Sequence, residues 1–252
     1  MLQNEHTQPD RLKYGWGQRV CGFQTKVPAS QWTLIDVTLI VVFILLGAGL
    51  ISFSLLFIFG SGVVAFTVFR YIFSIWLIAI PLLWLKKRYG IRKCDLGIRE
   101  GHLRIWTSFV IFVISLATYF ISSRFLLGHP HPEHVIRLAN DYIYIVLMPI
   151  SLSTFPDIVL APIGEEIVCR GLIYGYLRSS MPYMGALIFQ AVIFSFLHFM
   201  FMYPHSIYHS ISYFVAGLVL GISYEATGSL YLPMVCHGAM NWIGIVLLSN
   251  WK

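Results

Sequence analysis

The chain is a succession of apolar runs, each close to the length of a bilayer crossing, and no other feature constrains its fold as strongly. The runs cover residues 34–59, 63–85, 105–127, 142–161, 184–201, 207–224 and 232–248. A helix needs about 20 mostly apolar residues to cross a membrane, because its backbone polar groups must be satisfied within the segment. The runs are continuously apolar rather than alternating, which excludes a closed β-barrel. The expected fold is therefore all-α, a polytopic transmembrane helix bundle of about seven spans. Composition agrees with lipid as the solvent. Hydrophobic residues make up 58% and charged residues 11%, whereas a soluble domain carries about 25% charged residues to cover its surface.

What lies between the runs sets domains and orientation. Residues 1–31 hold Arg11, Lys13, Arg19 and Lys26 but no apolar core, which does not suit a cleavable signal peptide. They are expected to form a cytoplasmic or interfacial tail, with Tyr14, Trp16 and Trp32 at the interface, ahead of a membrane domain at 32–252. The segment 86–104 is the most basic and lies on the same side as the tail after two spans. Both are therefore expected to be cytoplasmic, in the cell membrane. The net charge of +6 resides in loops and tail and suits an anionic leaflet. No basic stripe exists, so nucleic acid is not an expected partner. Cys169 and Cys236 fall inside apolar segments, where they read as small hydrophobes.

Three polar insertions interrupt the later runs. The first lies in PDIVLAPIGEEIVCRGLIYGY, residues 156–176. Ionisable groups at membrane depth cost several kcal/mol unless paired, so Glu165, Glu166 and Arg170 need a reason. Glu166 and Arg170 share a helix face at i, i+4 and read as an ion pair. Glu165 points elsewhere, without a partner on that helix, and is the candidate general base. The second insertion is His198, deep in an aromatic run. The third is His237 with Asn241, whose i, i+4 spacing could aim two donors at one oxygen, as an oxyanion hole does. Counted from Arg178 and Met184 as cytoplasmic ends, Glu165 and His198 lie about 13–14 residues in, roughly 20 Å. His237 lies about five residues past Leu232 and reads as shallower. Either its helix begins earlier or the site opens as a cone.

The order EExxxR (Glu165, Glu166, Arg170), FxxxH (Phe194, His198) and HxxxN (His237, Asn241) resembles the CPBP family of CAAX-prenyl-protease-like and bacteriocin-processing intramembrane proteases, also called Abi proteins. The resemblance covers about residues 145–245 and includes Gly217, Gly221, Thr227 and Pro233. Cys169 departs from the bulky aromatic that often precedes the arginine in that family. The resemblance implies an intramembrane endopeptidase that hydrolyses a peptide bond with activated water, acting on a peptide or protein substrate, prenylated ones included. In that reading Glu165 and His198 activate the water. His237 and Asn241 stabilise the oxyanion, and Glu166 and Arg170 support the helix.

No cofactor is the preferred expectation, because HExxH spacing is absent. The alternative is a zinc-dependent enzyme with ligands among Glu165, Glu166, His198 and His237. From other classes, a transporter or ion relay would spread polar groups through every span, and a silent scaffold of the self-immunity type would keep the bundle without chemistry. His129, His131 and His134 read as a solvated loop, and His205 and His209 as interfacial.

Overall fold

The computed structural model describes residues 32–60, 62–100, 105–127, 152, 154–201 and 207–249. The tail 1–31, the loop carrying His129, His131 and His134, most of the 142–161 run and His205 lie outside them. Among the described residues the regular structure is entirely helical. Seven helices follow one another: α1 Leu34–Phe59, α2 Val63–Tyr89, α3 Ile105–Leu127, α4 over residues 156–180, α5 Tyr183–Phe201, α6 Ile207–Thr227 and α7 Tyr231–Ser249. Three helical stretches are long and apolar enough to cross a membrane, Leu34–Phe59, Val64–Tyr89 and Tyr183–Met200, and Thr107–Thr118 in α3 is a shorter apolar stretch. Large apolar side chains such as Leu50, Phe53, Phe57, Phe66 and Leu83 stand exposed on α1 and α2. That is the surface of a protein solvated by lipid, since water would not tolerate so contiguous an apolar face. The chain is a membrane protein.

α1 and α2 pair at one end around a single buried carboxylate. Thr33 and Asp36 form a reciprocal capping box at the start of α1. Asp36, with no exposed surface, also accepts from Trp84 Nε1 at 3.2 Å and from the Tyr89 hydroxyl, and pairs with Arg88 Nε at 3.0 Å. So many donors from α2 offset the cost of burying a charge. Trp32, expected at the interface, is instead buried, and its indole N–H donates to the Leu172 carbonyl of α4 at 2.8 Å. A tryptophan that close to the first span is amphipathic enough for either place. The Leu172 carbonyl, which also receives the Gly175 N–H, decides it.

At the same end, a short 3-10 turn, Lys93–Leu96, runs into Gly97 at φ 86°. A side chain at Gly97 would run into the ring and hydroxyl of Tyr224. This loop is sewn to the turn between α6 and α7: Leu230 N donates to Gly97 O at 2.8 Å, Arg99 Nε to Gly228 O at 3.0 Å, and Ser229 Oγ to Arg99 O. Thr227, Ser229 and Leu230 are consequently buried. The turn that leads into α7 is therefore buried, while Tyr231, its first residue, is exposed.

α4 is irregular. Its segments Pro156–Leu160 and Ile167–Tyr174 are π-helical and flank one α-helical piece, Ala161–Glu166, that carries both glutamates. π-helical stretches inside α-helices recur at functional sites. α5 and α6 cross closely, with a Cβ on Gly217 only 2.9 Å from Ala191 Cα.

Candidate active site

Glu166 and Arg170, one helical turn apart on α4, are both completely buried and pair at 2.8 Å. The pair is not isolated. Arg170 Nη2 donates to the Gly217 carbonyl of α6 at 3.2 Å, which also receives Gln190 Nε2 from α5 at 2.7 Å. The guanidinium lies over the Phe194 ring, 4.5 Å from its centroid, a favourable place for a desolvated cation. Glu166 Oε1 accepts a second bond, from His237 Nδ1 of α7 at 2.7 Å.

That bond fixes the orientation of His237. Its other nitrogen, Nε2, then faces Glu165 Oε2 at 3.6 Å. His198, from α5, arrives in the same way. Its Nδ1–H donates to the Phe194 carbonyl at 2.9 Å, and its Nε2 faces Glu165 Oε2 at 3.5 Å. The ring of His198 is held between Phe194 and Tyr213, at centroid distances of 4.2 and 4.3 Å. Glu165, His198 and His237 thus converge from three helices, with their three atoms within 4.8 Å of one another. Glu165 Oε2 is buried and makes no hydrogen bond, while the Glu165 side chain as a whole keeps 25% of its surface exposed.

The electrostatics follow from the tautomers. A neutral imidazole whose Nδ1 donates presents a lone pair at Nε2. With both histidines neutral, two lone pairs and a carboxylate oxygen meet at one point with no proton among them. The arrangement calls for a water donating its O–H groups, a proton on one imidazole, or a cation. Two histidines and a glutamate also form a known hydrolytic zinc ligand set. Holding Nδ1 with a carboxylate or a main-chain carbonyl is the way such ligands are oriented. The donor set therefore fits a metal as well as a water. Glu166 stands behind the cluster, its Oε1 occupied by Arg170 and His237, so the ligand set the geometry offers is Glu165, His198 and His237.

Asn241 is placed apart from these three. Its amide donates to the Asp157 carbonyl of α4 at 2.8 Å. Asp157, in turn, pairs through its carboxylate with Arg70 of α2. Arg70, Asp157, Gln190 and Tyr213 were not singled out by the sequence motifs as parts of the site. A lone arginine within an apolar run was the available signal for Arg70. Gln190 and Tyr213 carry none that distinguishes them from other core residues.

Residues 148–243 match the family model described as type II CAAX prenyl endopeptidase Rce1-like. This match supports assigning the chain to the CPBP/CAAX protease family, a family of peptide-bond hydrolases. No curated protein and no solved structure matches the chain.

Proposed function

We propose that the protein is an intramembrane endopeptidase that hydrolyses a peptide bond at Glu165, His198 and His237. The observation that supports this is the convergence of those three side chains from α4, α5 and α7 on one point. Glu165 accepts a proton from a water that His198 Nε2 orients, and the remaining hydroxide attacks the substrate carbonyl. The intermediate collapses as Glu165 returns that proton to the leaving amine. His237, protonated, donates to the oxyanion from Nε2 while Nδ1–H stays on Glu166, and the second N–H of Asn241 supplies another donor. Before attack the row of Arg170, Glu166, His237 and Glu165 alternates in charge and sums to zero, and once Glu165 has taken the proton the oxyanion carries the balancing negative charge.

A second reading is favoured by the same convergence of lone pairs: Glu165, His198 and His237 would hold zinc, with His237 neutral. A bound cation would polarise the substrate carbonyl and acidify water. In both readings Glu166 and Arg170 orient His237, and Phe194 and Tyr213 hold the His198 ring.

The seven helices act as spans in this proposal, with the N-terminus and the basic 86–104 segment in the cytoplasm and the site inside the bundle. The substrate is a membrane-associated peptide, prenylated ones included. Purified protein presented with prenylated and unprenylated peptides should cleave a subset of them. Glu165→Ala and His198→Ala should each lower the rate by about 10²–10⁴-fold. Equal cleavage by wild type and both variants would overturn the proposal.

A further inference from the structure

Asn241 of α7 hydrogen-bonds to a stretch of α4 that a proline interrupts. In the π-helical segment of α4, Ala161 N donates to the Pro156 carbonyl, five residues back. The next bond in that register would run from residue 162 to the Asp157 carbonyl. Residue 162 is proline, which has no N–H to give. The Asp157 carbonyl, inside the bundle, is left for another donor, and an unpaired carbonyl there is costly. The Asn241 amide of α7 takes that place, at 2.8 Å. Two further observations show that the meeting is closely fitted. A Cβ on Gly238 would come within 2.5 Å of the Ile158 carbonyl, so α7 approaches this stretch over a glycine. The Asp157 carboxylate is anchored by Arg70 from α2, which ties this turn of α4 to a third helix. Arg70 lies outside the segment that matches the family model.

We propose that Pro162 is a positioning residue: by withholding an N–H, it leaves the Asp157 carbonyl to Asn241 and so orients the carboxamide one turn beyond His237 on α7. An N–H at position 162 would close the π-helical bond to Asp157 O and compete with Asn241 for it, removing the need of that carbonyl for a donor from α7. The consequence for turnover rests on the protease reading above. The consequence for stability does not.

The experiment is a double-mutant cycle on the full chain with Pro162→Ala, Asn241→Ala and the combination, and with Pro156→Ala as control. Pro156 lies at the start of the same segment, and an N–H there cannot reach the Asp157 carbonyl in the π register. In the cleavage assay, Pro162→Ala should lower kcat about tenfold with KM within about twofold, as expected when a donor used in the transition state is misplaced. The double variant should be no slower than Asn241→Ala, and Pro156→Ala should keep the wild-type kcat. Thermal unfolding gives the second arm. Asn241→Ala should lower the melting temperature in the wild-type background and leave it unchanged when residue 162 is alanine, because the carbonyl is then already paired. Additive losses in both arms would overturn the proposal, as would an unaltered kcat in Pro162→Ala alongside a slow Asn241→Ala. If no variant and no wild-type sample cleaves any peptide, the protease reading fails, and the unfolding cycle alone decides the role of Pro162.

Discussion

His237 Nδ1 lies 2.7 Å from Glu166 Oε1, and this bond turns a histidine on α7 toward a different glutamate, Glu165, on α4. Adjacent glutamates thereby take separate roles. One is locked against Arg170 and aims the imidazole, and the other meets that imidazole in the site. The division follows from helix geometry, since neighbouring residues point about 100° apart.

The first consequence concerns the aim of His237. Glu166→Gln keeps an acceptor near Nδ1 but removes the charge that Arg170 and His237 share. Cleavage should fall by about 10–100-fold, the usual cost of losing such an orienting carboxylate. His237→Ala should fall further. If Glu166→Gln keeps full activity, His237 does not depend on that bond.

Arg170 is a matter of stability before it is one of activity. Arg170→Leu leaves the Glu166 carboxylate buried without its cation, and breaking a buried pair from one side costs about 3–5 kcal/mol. The variant should show a lowered unfolding midpoint in detergent. Removing both charges, as Glu166→Gln with Arg170→Gln, should recover part of that loss. A double variant as unstable as the sum of two one-sided losses would contradict the pairing.

Gly238 tests the packing of α7 on α4. Gly238→Ala places a methyl group 2.5 Å from a main-chain oxygen, which no rotamer change relieves. The helices must separate, and stability should fall by about 1–3 kcal/mol, the usual cost of overpacking. Gly244→Ala on the same helix meets nothing within 4 Å and should be neutral. Comparing the two melting temperatures checks this.

Metal dependence separates the two proposed mechanisms. In the metal-free reading, extended dialysis against a chelator leaves cleavage intact, and metal analysis finds less than about 0.1 zinc per chain. In the zinc reading, activity disappears and returns on adding zinc to near one per chain, with an affinity that His198→Ala lowers. Either outcome leaves the three residues in place and assigns the proton on His237.

The helices were largely legible in the sequence, because long apolar runs carry their own boundaries. The first and third runs begin and end with α1 and α3, while α2 continues past residue 85 through its basic last turn to Gly90. The pairing of Glu166 with Arg170 is a local matter of i, i+4 spacing and could be read directly. What required three dimensions was every contact between helices. Nothing local to α7 says that His237 turns to the glutamates while Asn241, on the next turn, turns to Asp157. The irregular α4 was equally hidden, since π-helical register depends on tertiary packing more than on composition. Trp32 illustrates the same limit, as its burial depends on the Leu172 carbonyl 140 residues away.

The most direct test of the central claim is the cleavage rate of Glu165→Gln, a near-isosteric change that removes the base and leaves the Glu166–Arg170 pair untouched. On a peptide the wild type cleaves, the account predicts a loss in kcat of at least about 10²-fold, with an unfolding midpoint close to wild type. A folded Glu165→Gln protein that cleaves at the wild-type rate would contradict it.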